Sequence, residues 1–163
     1  MLNGVESGLM GVYGLIIVVP CPIKVRIGAL GETKFLEGYY VYVGSAQGQS
    51  MNLENRLSRH FSKEKKVHWH IDYLLDADVE ILDAVFSESA EPVECLVAKR
   101  LASRDEADWG PIRFGASDCE SGCRSHLIHF GLDSDIKKIV GETFKDMGLN
   151  PSLYTHVLHK PSS

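Results

Sequence analysis

The residues that could do chemistry lie in four short segments of the chain. The tripeptides Gly-Val-Tyr at 11–13 and Tyr-Val-Gly at 42–44 each carry a tyrosine in an apolar, β-branched run. Residues 52–60 follow with Arg56, and Glu94 comes later behind a proline. A guanidinium is a planar fork that matches phosphate oxygens, and one carboxylate with water molecules suits Mg²⁺, which keeps much of its hydration. These residue types indicate phosphodiester chemistry.

Each of these residues also has a purely structural explanation. A strand tyrosine such as Tyr13 or Tyr42 usually packs in a core or on a sheet surface. Arg56 alone is more often a solvated helix residue. Glu94, near the start of a helix, favours the helix dipole and can cap the first turn. Only the occurrence of these features together and in this order favours catalysis.

The two tripeptides in order, an arginine-bearing helix after the second, and a later helical glutamate resemble the GIY-YIG nuclease superfamily over about residues 11–101. The segment at 52–60 is similar to the matching helix of the excision-repair nuclease subunits. The sequence is more similar still to a poorly characterised subgroup, found mostly in archaea and sometimes fused to DNA-repair glycosylases. There the resemblance extends through 68–73, 94–95 and 114–119 to 125–127, so that it covers about residues 11–130.

This resemblance implies a metal-dependent endonuclease, a hydrolase of phosphodiester bonds in DNA, with a connection to DNA repair. Tyr13 and Tyr42 match the motif tyrosines, Arg56 matches the catalytic arginine, and His60 matches a position held by histidine or tyrosine. Glu94 matches the carboxylate that binds Mg²⁺ or Mn²⁺. Tyr13 could orient a water molecule or act as a general base, but the base role requires nearby positive charge to lower its pKa from about 10. Tyr42 and His60 would complete the polar pocket.

The charge distribution bears on the partner. A net charge of −5 counts against a nucleic-acid binder, but residues 56–66 hold five basic residues and a single acidic one. A solvated helix face is an equally good interpretation of this run. For 68–70, a packed and hydrogen-bonded helix start is favoured over base stacking. The residues expected to contact nucleic acid, with DNA as the first choice, are Arg59, Lys63, Lys65, Lys66 and Trp69.

A second metal set is compatible with the sequence. Cys119, Cys123 and His126 have spacings that zinc sites use, with Cys95 or His129 as a fourth ligand. Because a second well-spaced pair is missing, packed thiols or a loop brace are favoured over zinc. Two alternatives to the nuclease stay open: a non-catalytic nucleic-acid-binding module on the same fold, and a zinc-stabilised interaction domain.

The elements that must position these residues follow from hydrophobic periodicity and from Gly and Pro punctuation. Their order predicts an α+β fold with a small central, mainly antiparallel sheet flanked by helices. The 28 residues between Tyr13 and Tyr42 are more than the usual gap in the superfamily that the chain resembles, which implies an inserted hairpin between the motif strands. Pro92 suits the first position of a helix whose core face is Val93, Leu96, Val97 and Leu101. The predicted strands are 11–19, 24–27, 38–44, 79–86 and 126–130, the helices 52–61, 69–75, 92–103 and 133–147, and the loops 45–51 and 109–123.

Length and composition indicate one domain, 163 residues long with 44% hydrophobic residues. Its core is expected over about 9–131, followed by a helix and tail over 132–163. The apolar run at 9–22 has no basic region before it and falls short of the roughly 20 residues that span a bilayer. We expect this run to be a buried strand of a cytoplasmic protein without a membrane partner.

Overall fold

A computed structural model describes residues 9–48, 52–63, 65–116, 119 and 122–154. The end of the predicted loop at 45–51 and most of the predicted tail lie outside these residues. A short 3-10 turn, Gly28–Leu30, joins the second and third strands. In chain order the elements are β1 (Gly11–Val19), β2 (Ile23–Arg26), β3 (Glu32–Phe35), β4 (Gly38–Ala46), α1 (Leu53–Phe61), α2 (His70–Leu75), β5 (Glu80–Glu88), α3 (Glu94–Ala102), β6 (Ala107–Trp109), β7 (Leu127–Phe130), α4 (Ile136–Asp146) and β8 (Ser152–Tyr154).

Six strands form one sheet in the order β6-β7-β4-β1-β5-β8, and each neighbouring pair is antiparallel. β2 and β3 pair with each other as a separate hairpin between the two motif strands. The predicted α+β class, the mainly antiparallel sheet with flanking helices and the inserted hairpin are therefore confirmed. The longest described helix, α4, has 11 residues, so none of the helices that the structure describes could cross a bilayer.

The two central strands, β1 and β4, are buried on both faces because helices cover both sides of the sheet. Alternation along β4 sends Tyr40 and Tyr42 to one face and Val41 and Val43 to the other, as predicted. Tyr13 of β1 shares the face of Tyr40 and Tyr42. The first face packs against α1, α2 and the β2–β3 hairpin, and the second face packs against α3 and α4.

Gly44, which ends the second tripeptide, leaves the space that the Tyr13 ring of the first tripeptide occupies. Tyr13 and Gly44 are direct partners across β1 and β4. A Cβ atom on Gly44 would lie 2.5 Å from the Tyr13 phenol oxygen, well inside contact distance. The absence of a side chain at Gly44 therefore allows the Tyr13 ring to lie flat over β4, on the face that α1 covers.

Helix α1 begins as predicted, because the Asn55 N–H donates to the side chain of the N-cap Asn52 at 2.9 Å. Leu53 and Leu57 are buried, but the third residue of the predicted stripe, Phe61, is only partly buried. His60 is buried in its place. The helix therefore turns a titratable side chain towards the sheet.

Helix α3 begins later than predicted. Glu94 is its first residue and Val93 is its N-cap, so Pro92 lies outside the helix. The buried stripe is Val97, Ala98 and Leu101. The prediction that Leu96 faces the core is wrong, since 57% of it is exposed. Val93 precedes the helix but packs, partly buried, against the same core as predicted, whereas Leu96 lies away from the face that Val97 and Leu101 define.

Two short strands were not predicted. β6 and β8 have three residues each, too few for an alternating pattern. β6 falls partly in the predicted loop at 109–123 and pairs with β7, and β8 falls in the predicted tail and pairs with β5. Both are edge strands, so pairing with an existing neighbour rather than local propensity places them in the sheet.

Candidate functional site

Three of the predicted site residues form one aromatic cluster on the α1 face of the sheet. Tyr13 and His60 are hydrogen-bonded, with 2.7 Å between the phenol oxygen and Nε2. The ring centres of Tyr13 and Tyr42 are 6.4 Å apart, and those of Tyr42 and His60 are 6.0 Å apart. All three side chains are buried. β1, β4 and the last turn of α1 therefore meet at this point. The hydrogen-bonded residues Tyr13 and His60 are 47 residues apart in the sequence.

Arg56 lies one turn before His60 on α1 and joins the cluster from its solvent side. Its guanidinium carbon lies 4.3 Å from the centre of the Trp69 ring, a cation–π geometry. A hydrogen bond from the guanidinium reaches Tyr13. The Nε atom is buried and has no hydrogen-bond partner among the described residues. Arg56 is thus held on two sides and keeps one donor for a ligand.

The protonation states of the buried pair follow from its surroundings. Burial raises the pKa of Tyr13 to about 12, although the charge of Arg56 and the hydrogen bond from it act to lower the value. Burial lowers the pKa of His60 to about 3, although Asp72 acts in the opposite direction. Both side chains are therefore neutral at neutral pH. A guanidinium only donates, so the Tyr13 oxygen accepts from Arg56 and its own proton is available to His60 Nε2.

These protonation states bear on the roles expected for Tyr13. A general base at this position requires a lowered pKa, and burial outweighs the effect of Arg56. Tyr13 keeps its proton and acts as a hydrogen-bonding group. His60 Nδ1, the other ring nitrogen, is buried and has no hydrogen-bond partner in the described part of the chain.

Arg59 and Trp69, both predicted to contact nucleic acid, take part in the fold itself. Arg59 donates to both carboxylate oxygens of Asp72, each at 2.9 Å, and the Asp72 side chain is fully buried. The backbone N–H groups of His68 and Trp69 donate to the same carboxylate. The Arg59 guanidinium carbon lies 4.3 Å from the centre of the Trp69 ring. Residues 68–70 therefore form a packed, hydrogen-bonded helix start, and contact of Arg59 or Trp69 with nucleic acid stays a prediction.

The three predicted lysines differ in their availability. Lys65 is partly buried, and its ammonium group donates to the Ser62 carbonyl at 2.6 Å. Burial lowers the pKa of Lys65. Lys63 and Lys66 are exposed. The exposed pair can approach a polyanion without breaking a contact of the fold, whereas Lys65 cannot.

Glu94 is linked to the aromatic cluster by the effect of its charge on Tyr42. Helix α3 packs on the face opposite α1, but Glu94 is its first residue and its charge acts on both Tyr42 and His126. Burial raises the pKa of Tyr42 above its usual range, and the charges of Asp72 and Glu94 raise it further. The Glu94 Oε1 atom is buried and has no hydrogen-bond partner among the residues that the structure describes. A buried carboxylate oxygen without a donor is suited to a cation.

A second cluster adjoins Glu94. One ligand atom from each of Cys95, Cys119, Cys123 and His126 lies within 4.8 Å of every other, and this group could hold a metal ion. Two of the separations are short: Cys95 Sγ to Cys119 Sγ is 3.2 Å and Cys95 Sγ to His126 Nε2 is 3.5 Å. The sequence left the fourth member open, and the structure places Cys95 there. His129 lies elsewhere, against the Glu37 carbonyl at 2.8 Å.

Two residues of this region were missed from the sequence. Asp72 has the position of a capping acid three residues after Trp69, a signal that could have identified its role. His70 Nδ1 accepts from the Gly115 N–H at 2.9 Å, which ties α2 to the loop before β7. No local pattern could indicate this second contact, because 45 residues separate its partners.

A cavity of about 720 Å³ opens beside the cluster. His60, Lys65, Asp72 and Tyr154 are among its lining residues, whereas Tyr13, Tyr42, Arg56 and Glu94 are not. The candidate site therefore borders this cavity through His60.

Comparison with known proteins gives one finding. A model of the family described as "Domain of unknown function DUF123" matches residues 12–149. No curated protein and no solved structure matches the chain. The match covers both tyrosine strands, α1, the Glu94 helix and the cysteine–histidine cluster. The chain belongs to the DUF123 family.

Proposed function

We propose that this chain is a metal-dependent endonuclease of the GIY-YIG type, a hydrolase that cleaves phosphodiester bonds in DNA. One observation carries the proposal: Arg56 Nε and Glu94 Oε1 are both buried and have no hydrogen-bond partner among the described residues, and both charges act on Tyr42. A phosphate group can accept from the guanidinium, and a divalent cation can neutralise the carboxylate. Arg56 would bind the phosphate and Glu94 would hold the cation.

In this proposal Arg56 binds the scissile phosphate. Its guanidinium is stacked on Trp69 and hydrogen-bonded to Tyr13, so little side-chain freedom remains to be lost when a phosphate binds. Lysine could not replace it, because an ammonium group can neither stack in the same way nor present two parallel donors.

Tyr13 and His60 serve as positioning residues. The phenol oxygen of Tyr13 accepts a hydrogen bond from Arg56, and the phenol is also hydrogen-bonded to His60 Nε2. The pair therefore fixes the direction of the guanidinium. His60 remains neutral, since burial holds its pKa near 3, and a neutral ring accepts the phenol proton. Tyr42, with 8% of its surface exposed, is the tyrosine that can hydrogen-bond a substrate oxygen or a water molecule.

Glu94 is the proposed cation ligand. Its partly buried carboxylate has one oxygen without a donor, and Mg²⁺ or Mn²⁺ commonly binds through one or two carboxylates and several water molecules. The donor set therefore fits such a cation. When bound, the cation supplies charge stabilisation at the phosphate. Glu94 would hold this cation, and its charge already acts on Tyr42.

Lys63 and Lys66 would contact the DNA backbone away from the cleavage point. Both are exposed and follow α1, the helix that carries Arg56. Two contacts of this kind give a modest dependence of binding on salt, consistent with a chain whose net charge is −5. A role in DNA repair would follow from a preference for damaged or branched substrates.

The test is cleavage of end-labelled DNA by the purified chain, with nicked, branched and plain duplexes and with Mg²⁺, Mn²⁺ or a chelator. Cleavage should require the divalent cation. Glu94→Gln and Arg56→Lys should each lower the rate constant by roughly 100-fold or more, because the first removes the carboxylate charge that would hold the cation and the second removes the planar pair of donors that would bind the phosphate. The matched controls are Glu91→Gln and Arg100→Lys, which change exposed residues of the same types at or near α3.

The outcomes separate the candidate functions. Binding of DNA without cleavage under every metal condition would instead assign a non-catalytic nucleic-acid-binding module. Cleavage that survives both substitutions would place the active site elsewhere. Neither binding nor cleavage, in a folded protein, would contradict the proposal altogether.

A further inference from the structure

The cysteine–histidine cluster has the composition of a closed zinc site. Three thiols and one imidazole are the ligand set of structural Cys₃His zinc sites. Cys95 comes from the first turn of α3, Cys119 and Cys123 come from the loop before β7, and His126 directly precedes β7. None of the three cysteines is in a disulfide.

The separations are close to those of tetrahedral coordination. Bonds of about 2.3 Å to sulfur and 2.0–2.1 Å to nitrogen put two sulfurs about 3.8 Å apart, and a sulfur and a nitrogen about 3.6 Å apart. The Cys95–His126 separation is 3.5 Å, and no separation in the group exceeds 4.8 Å. The Cys95–Cys119 separation of 3.2 Å would open slightly to admit the ion. Soft thiolates favour zinc and disfavour Mg²⁺, which prefers oxygen ligands.

The backbone around the ligands is already held in place. The His126 N–H donates to the Phe114 carbonyl at 2.8 Å, and the His126 carbonyl accepts from the Val43 N–H at 2.9 Å. The Cys119 N–H donates to the Ala116 carbonyl at 3.1 Å. His126 is thereby fixed to β4 beside Tyr42. A metal bound here would be tied to the sheet through His126.

The first turn of α3 has no side-chain cap. Its N-cap is Val93, whose side chain makes no capping hydrogen bond. Glu94 and Cys95 are the first two helical residues, so a bond from Cys95 to a metal fixed at His126 would hold this turn, and Glu94 with it, against the end of β4.

We propose that Cys95, Cys119, Cys123 and His126 bind one structural Zn²⁺ that anchors the first turn of α3 and so holds Glu94 beside Tyr42. This zinc is distinct from the cation at the phosphate. The zinc site and the anchoring of α3 stand by themselves, whereas the consequence for catalysis rests on the proposed function.

Zinc content tests the site. Full-length protein purified with added Zn²⁺ and freed of excess by gel filtration should contain one zinc per chain by elemental analysis. Cys119→Ser and Cys123→Ser should lose it. Cys21→Ser, which changes an exposed cysteine outside the cluster, should keep it. A wild-type protein without zinc, or cluster variants that retain zinc, would overturn the proposal.

A second measurement avoids variants that fail to fold. An organomercurial forms mercury–sulfur bonds with thiolates, so titration of the wild-type chain should release Zn²⁺ into solution, detected with a colorimetric chelator. Release of one zinc as the cluster thiols react is expected. Reaction of these thiols without release of zinc would contradict ligation by sulfur.

Amide hydrogen exchange tests the anchoring without reference to activity. Removal of zinc by a chelator should speed exchange in the first turn of α3 and leave the protection of α4 unchanged. Equal exchange in α3 with and without zinc would refute the anchoring role.

Mn²⁺ affinity links the zinc site to the proposed function. By electron paramagnetic resonance titration, the zinc-free chain should bind Mn²⁺ about tenfold more weakly than the zinc-loaded chain, the scale of effect seen when supporting contacts of a metal ligand are lost. The same affinity in both forms would refute the effect on Glu94. If Glu94→Gln binds Mn²⁺ as well as the wild type does, the proposed function fails, while the zinc content and exchange results still decide the zinc site.

Discussion

His60 should make the stability of this protein sensitive to mild acid. The imidazole is buried and hydrogen-bonded to Tyr13, and burial lowers its pKa to about 3 from the 6.5 of a free histidine. The folded state therefore keeps His60 neutral over a range in which the unfolded chain binds a proton. The resulting stability is fully present above pH 6.5 and is lost as the pH falls towards 3.

The size of the effect follows from these two pKa values. The whole shift corresponds to about 5 kcal/mol in the free energy of unfolding, reached only below pH 3. At pH 5.0 the contribution lost is about 2 kcal/mol, and at pH 7.5 it is close to zero. Burial acts to raise the pKa of Asp72, but Arg59 and two backbone donors outweigh it and lower this pKa. The contribution of the Asp72 carboxylate to stability is therefore lost only at lower pH.

The assay is urea unfolding of the wild type and of His60→Gln at pH 7.5 and pH 5.0. The glutamine side chain can still accept a hydrogen bond from the Tyr13 phenol but does not titrate. The wild type should lose about 2 kcal/mol more than His60→Gln between the two pH values. Burial also lowers the pKa of His126, but this histidine is present in both proteins, so its contribution cancels. His68→Gln, at an exposed histidine, should keep the pH slope of the wild type. Equal slopes for the wild type and His60→Gln would refute the assignment of a buried neutral imidazole.

Three further substitutions test the packing around the site. Asp72→Asn should lower the free energy of unfolding by about 3 kcal/mol, because it removes the buried charge that pairs with Arg59; urea unfolding measures this, and a loss below about 1 kcal/mol would contradict the importance of the pair. Gly44→Ala should cost about 1–3 kcal/mol and disturb the Tyr13–His60 hydrogen bond, because its Cβ would lie 2.5 Å from the phenol oxygen. Gly141→Ala is the matched control in α4: no atom lies within 4 Å of its Cβ, so it should raise the stability by up to about 1 kcal/mol, and a loss of stability there would show that the difference between the glycines is not steric.

The strongest local patterns in the sequence predicted their elements well. β1 has the predicted bounds of Gly11–Val19, and β4 begins at the predicted Gly38. α1 begins after Asn52, as the capping side chain requires. In each case the signal is contained within one element: a run of β-branched and aromatic residues, or an N-cap before an amphipathic stripe. These elements position the four predicted catalytic residues, Tyr13, Tyr42, Arg56 and His60.

Features that depend on partners distant in sequence were missed or left open. Leu96 was assigned to the core from its spacing, yet 57% of it is exposed. β6 and β8 were not predicted because three residues have no period to detect. Cys95 completes the metal cluster across 24 residues from Cys119, a distance that no spacing rule covers. Local pattern cannot identify such contacts, because the chain path between the two segments decides them.

The sequence by itself determined which groups are available: two strand tyrosines, an arginine and a histidine one helical turn apart, a glutamate at the start of a helix, and three cysteines with a histidine. Only the tertiary structure decided their states. Burial keeps Tyr13 protonated and His60 neutral, and packing leaves single buried atoms of Arg56 and Glu94 without a hydrogen-bond partner in the part of the chain that the structure describes. The physical reason is that desolvation and hydrogen-bond satisfaction depend on everything that surrounds a side chain, and most of those surroundings come from segments far away along the chain.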